Sequence, residues 1–177
     1  MRMILAAALA LAPQLSLAAG SDDTEPPKPT ETTTECAKGE VWDDKTATCI
    51  KAESSSLSDD QRYGAVRELA YSDRPEEALA ILALMTEGET PRVLTYQGFL
   101  LRQTGRVEEG IAAYERAIAL DKDNHLARSY YGQLLVQMDE IALAQQQLAA
   151  IRMYGGGGTW ADQALAKAIA TGTTYTY

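Results

Sequence analysis

An all-α fold, built as a short stack of helix hairpins, is predicted by three features of the chain. Pro91–Asn124 reads as two amphipathic helices joined at Thr104-Gly105-Arg106. Leu94 and Leu101, then Val107, Ile111, Tyr114 and Ile118, recur at three- and four-residue spacing. Small residues stand where two helices must approach: Gly98 in the first, Gly110 and Ala117 in the second. The pattern also recurs, with Gly132 lying 34 residues after Gly98 and Ala144 lying 34 after Gly110. One hairpin cannot bury its apolar face alone, so stacked neighbours are implied.

The chain has 177 residues, 46% of them hydrophobic, and a net charge of −9. That length suits one domain with appendages. The acidic balance argues against nucleic acid, which needs a clustered basic face. His125 is the sole histidine, which speaks against a His-based metal site. Residues 1–19 read as a secretory signal: Arg2, an apolar run over Met3–Leu11, Pro13, and the small-x-small site Ser16-Leu17-Ala18. Cleavage is expected after Ala18 or Ala19. The run is too short for a membrane-spanning helix of about 20 residues, so no integral membrane association is expected once it is removed. Losing Arg2 makes the product one unit more acidic.

Residues 20–35 are rich in Pro, Thr and acid, and read as a disordered linker. In residues 36–50, Cys36 and Cys49 most economically form one disulfide in an exported protein. Closing a loop of that size stabilises by about 3 kcal/mol in the chain-entropy model. Val41-Trp42 is a candidate strand and Asp43-Asp44-Lys45 is turn material, giving a stapled hairpin. Residues 51–57, with Ser54-Ser55-Ser56, read as a second linker.

The repeats occupy 58–154, divided as 58–90, 91–124 and 125–154. Ser58-Asp59-Asp60-Gln61 is a capping box opening the first helix, and Asp73-Arg74-Pro75-Glu76 restarts the chain as the second. Thr90-Pro91 opens the central unit with a cap and a proline at the first helical position. In the third unit Asp139 replaces the turn glycine and is expected to cap the following helix. Ile151 is large where a small residue is expected, which predicts looser packing there. Gly155–Gly158 reads as a flexible helix terminator. Residues 159–171 read as a capping helix with Trp160, Leu165, Ala168 and Ile169 on one side, and 172–177 as a frayed tail.

The central unit resembles a tetratricopeptide repeat (TPR). Gly98, Gly105, Gly110, Tyr114, Ala117 and Leu120-Asp121 stand at the family's offsets, while Leu94, Gln97, Leu101 and Lys122 depart from its commonest residues. The resemblance implies that the first helices of successive repeats line a concave face. On this chain it implies a groove of Tyr63 and Arg67, then Arg92, Thr95, Phe99 and Arg102, then Leu126, Ser129, Gln133 and Val136. Three arginines and two aromatics suit an extended or acidic peptide. Thr95 and Phe99 stand where members of the set gripping a chaperone's terminal carboxylate would be, so that activity is not implied. Locally, the Cys36–Cys49 segment resembles one loop of cysteine-rich chitin-binding modules, which carry more cysteines.

These readings lead to a non-enzymatic scaffold, exported to the periplasm of a Gram-negative bacterium, that binds a protein or peptide partner in its groove. An envelope assembly or secretion accessory factor is a subcase. The alternative is a cell-envelope carbohydrate binder acting through Trp42. No catalytic constellation is recognisable, and neither cofactor nor metal is expected. A homo-oligomer, in which a second copy covers the last repeat, is also open.

Overall fold

The computed structural model describes residues 29–174 and is mostly helical. The expected signal (1–19), residues 20–28 of the expected linker and the last three residues of the expected tail lie outside them. The order is α1 (Glu31–Thr34), β1 (Glu40–Asp43), β2 (Thr48–Lys51), α2 (Asp59–Tyr71), α3 (Pro75–Leu82), α4 (Pro91–Gln103), α5 (Val107–Leu120), α6 (His125–Gln137), α7 (Ile141–Met153) and α8 (Trp160–Thr171). Among the described residues no helix is long and apolar enough to cross a membrane.

The helices start where the sequence gives them caps. Ser58 and Gln61 form the reciprocal capping box of α2, and the Thr90 side chain accepts from Val93 N–H at the head of α4. One turn is then built four times: Arg74, Arg106, Glu140 and Gly156 N–H bond back to the carbonyls of Leu69, Leu101, Leu135 and Ile151. The residue before each donor, Asp73, Gly105, Asp139 or Gly155, has positive φ. This is the six-to-one closure that ends a helix through a left-handed residue. Asp139 therefore takes over the conformation of the turn glycine. It does not cap α7, whose N-terminal neighbour Glu140 makes no side-chain cap bond.

The three hairpins are α2 with α3, α4 with α5, and α6 with α7. The first helices also meet one another, α2 with α4 and α4 with α6, and α8 continues this front row by packing on α6 and α7. The main core runs through the row, from Val66 and Leu69 through Tyr96, Phe99 and Leu100 to Tyr130 and Leu134. Ile151 is fully buried, so the looser packing expected at that position does not occur. Elsewhere α7 is less well covered, with Leu143 and Met153 exposed.

The cysteine segment differs most from its reading as a separate loop between linkers. The Cys36–Cys49 disulfide is present, and β1 pairs antiparallel with β2, Trp42 opposite Cys49. Yet the hairpin belongs to the main core, through buried Val41. Residues 51–57 are held by Arg62, whose guanidinium donates to the carbonyls of Ala52 (3.0 Å), Leu57 (3.0 Å) and Ser54 (2.8 Å). One buried cation thus satisfies three backbone acceptors, and a serine run that looks like linker becomes fixed. Gln61 Nε2 donates to Asp43 Oδ1, and Gly39 N–H donates to Glu77.

Further upstream, the expected disordered linker ends in the short helix α1. Its cap residue Thr30 donates through N–H and Oγ1 to the Glu68 carboxylate at 2.8 Å, and Thr33 Oγ1 adds a longer bond. Burial raises the Glu68 pKa, outweighing the opposing hydrogen bonds from Thr30 and Thr33, and Glu31 nearby adds to the rise. The sign follows by linkage. A carboxyl that holds its proton more tightly when folded favours folding at low pH, and this contribution is lost as pH rises through the raised value. Denaturation midpoints of wild type and Glu68→Gln, followed from pH 3 to 7, are expected to show it. The advantage of wild type over the variant should fall with rising pH, and a difference that grows with pH would refute this assignment.

Candidate functional site

The front row is held together by aromatic rings. Tyr63 of α2 meets Tyr96 of α4 edge-on at 5.4 Å, and Tyr96 meets both Phe99 and Tyr130 of α6. Phe99 lies 4.5 Å from Tyr130 and is stacked with Tyr71 at 6.1 Å. Tyr130 reaches Trp160 of α8. The Tyr71 and Tyr130 hydroxyls share a hydrogen bond of 2.6 Å. Such contacts contribute about 0.5–1.5 kcal/mol each beyond burial alone. Burial pushes the Tyr96 phenol up, so it remains protonated, and it accepts from Arg67 Nε at 3.3 Å.

This interlocking corrects the open groove expected from the sequence. Nine of the ten residues placed there are buried: Tyr63, Arg67, Thr95, Phe99, Arg102, Leu126, Ser129, Gln133 and Val136; Arg92 is half-buried. The physical reason is that side chains from adjacent first helices fill the space between them. Phe99 is fully enclosed, with the Arg102 guanidinium over its ring at 5.0 Å. Arg102 Nη1 donates to the Tyr130 carbonyl, and Gln133 Nε2 donates to Ser129 Oγ. Val136 joins Leu135, Ala144 and Ala168 in a smaller cluster beneath α8.

Four of the ten nevertheless meet around one cavity of about 220 Å³, at the end of the row where α4 and α6 begin. Its walls are Tyr63 from α2; Pro91, Arg92 and Thr95 from α4; and Asp121, Asp123, Asn124, His125 and Leu126 from the α5–α6 junction. Thr95 and Asn124 satisfy each other, whereas His125 Nδ1 is buried without a hydrogen-bond partner. Thr95 Oγ1 donates to the Pro91 carbonyl at 2.7 Å and accepts from Asn124 Nδ2 at 2.9 Å. Asn124 Oδ1 caps α6 by accepting from Ala127 N–H. The His125 ring packs beside Gly156, where an added Cβ would lie 2.7 Å from it. That contact is one reason for the glycine run. The run terminates α7 and forms a turn, with Gly158 N–H donating to Asp162 Oδ2.

Electrostatics at the cavity also depart from expectation. Arg92 was expected to make the surface basic, but it donates to both Glu87 oxygens, at 2.8 and 2.9 Å, and pairs with Asp60 at 2.7 Å. The hydrogen bonds to Glu87, and next those to Asp60, push its pKa up against the effect of burial. The guanidinium also covers the Tyr63 ring at 4.8 Å. Asp121 and Asp123, both exposed, line the cavity from the α5–α6 junction.

Trp42, the residue named for sugar binding, is half-buried, and its backbone N–H donates to Thr32 Oγ1. The sequence does not single out Tyr96 or Tyr130, and it presents Asp121 and Asp123 as an ordinary solvated surface pair, whereas both line the cavity. The repeat itself held a signal for the tyrosines, since Tyr130 follows Tyr96 by the same 34 residues that relate Gly132 to Gly98. Comparison with family models, with curated proteins and with solved structures finds no match for this chain.

Proposed function

We propose that this protein is a non-catalytic interaction module of the TPR kind, exported to the periplasm, that holds a protein or peptide partner at the cavity between α2, α4 and α6. The observation that carries the reading is the meeting of Tyr63, Arg92, Thr95 and Leu126 from three successive first helices around one opening. Such a site, with carbon walls and a few polar groups at its rim, matches the usual make-up of a binding cleft. Six of its nine lining residues lie on helices packed against the aromatic row, which limits the ordering cost of binding. Envelope assembly or secretion is the setting in which an exported module of this type fits.

A photo-crosslinking residue at each of three exposed positions tests the reading in the exporting cell: Lys122, next in sequence to the lining residues Asp121 and Asp123, Glu108 on α5, and Thr48 on the hairpin. A discrete adduct from position 122, absent from 108 and 48, is the expected result. Adducts from 48 alone would transfer function to the cysteine hairpin. Equal labelling from all three would remove the cavity from the account.

A further inference from the structure

We propose that the cavity selects a basic side chain, lysine or arginine, from the partner; this rests on the interaction-module reading above. Size gives the first constraint. About 220 Å³ falls below the roughly 300–1,000 Å³ of pockets that enclose a whole small-molecule ligand, and suits one inserted side chain. Surface chemistry gives the second. Pro91 and Leu126 offer carbon surface on which an aliphatic stem can lie, beside the Tyr63 ring under the Arg92 guanidinium. The hydrogen-bonding groups deeper in, Thr95 and Asn124, are engaged with each other and with the backbone.

Charge decides the class. Asp121 and Asp123 line the rim, and Glu87 and Asp60 stand behind Arg92. Arg92 is the cation lining the cavity, and both its carboxylate partners already hold it. Lys122 lies between the two rim aspartates in sequence but does not line the cavity. Arg128 is turned aside, to Gln147, the Lys122 carbonyl and the Tyr154 ring. An acidic side chain would meet Asp121 and Asp123 at the rim and compete for an arginine that Glu87 and Asp60 already hold. A basic one would place its head at Asp121 and Asp123, where charge complementarity sets the choice of partner.

The test uses amide NMR of the mature protein with four blocked pentapeptides. They are alike except for a central lysine, arginine, norleucine or glutamate. Saturable shifts at residues 91–95 and 121–126 with the lysine and arginine peptides, at least about tenfold tighter than with the other two, are expected. The double variant Asp121→Asn, Asp123→Asn should lose about tenfold for the basic peptides. Asn at 121 can still accept from the residue 123 N–H, as Asp121 Oδ1 does at 3.0 Å, so the turn is preserved. Unchanged amides at residues 40–51 would verify the variant's fold. Equal binding of the norleucine peptide, preference for glutamate, or an unaffected double variant would overturn the inference while leaving partner binding intact. Absence of shifts at these residues with every peptide would overturn it too, and the crosslinks then judge the wider reading separately.

Discussion

Phe99→Ala is expected to lower the folding stability by about 3–5 kcal/mol, read as a fall in the denaturant midpoint with little change in slope. The ring is fully buried and touches four partners that span three helices: Tyr71, Tyr96, Tyr130 and the Arg102 guanidinium. Truncating it opens a void at the place where the hairpins meet. Those neighbours are themselves packed and hydrogen-bonded, so they cannot collapse inward to fill it. A surface-lining phenylalanine would behave differently, with a loss below about 1 kcal/mol. The size of the change therefore distinguishes the aromatic core found here from the groove expected from the sequence.

Gly98→Val should be nearly as damaging, costing about 2–3 kcal/mol. An added Cβ at Gly98 would stand 2.7 Å from both Cδ1 and Cε1 of the buried Tyr114 ring. From the other helix, a Cβ at Gly110 would stand 2.9 Å from the Gly98 carbonyl oxygen. The α4–α5 hairpin closes on these two glycines, so the ring has no free direction in which to move. A valine would gain some helix propensity over glycine, a few tenths of a kcal/mol, which is too small to offset the clash. Thermal unfolding of the variant checks this, and a midpoint equal to wild type would show that the helices are farther apart than described.

These two positions show how much the sequence disclosed. Gly98 and Gly110 were legible because close helix approach requires absence of a side chain, and that leaves a fixed mark at a fixed offset. Ser58 and Thr90 were legible because a cap is a local interaction. Asp139 was misread for the same local reason: aspartate suits both a cap and a left-handed turn, and only the hairpin geometry selects the second. Phe99 was placed in the groove by the family resemblance, which assigns its helix face to a concave surface. That assignment does not tell how far side chains from the next helix reach across. Long-range fastening was also hidden. Nothing near Ser54 in the chain announces that Arg62 will bind its carbonyl, and nothing near Thr30 announces Glu68. For the candidate site, Tyr63, Arg92, Thr95 and Leu126 were named in advance. Its charge was not, because Glu87 and Asp60 neutralise Arg92 from other segments.

Hydrogen–deuterium exchange on the protein, with and without the best-binding peptide, tests the central claim most directly. Binding at the cavity predicts added protection at residues 91–95 and 121–127, with exchange at 40–51 unaltered. Protection confined to 40–51, or spread over α5 and α7 while the two predicted segments stay unchanged, would contradict it.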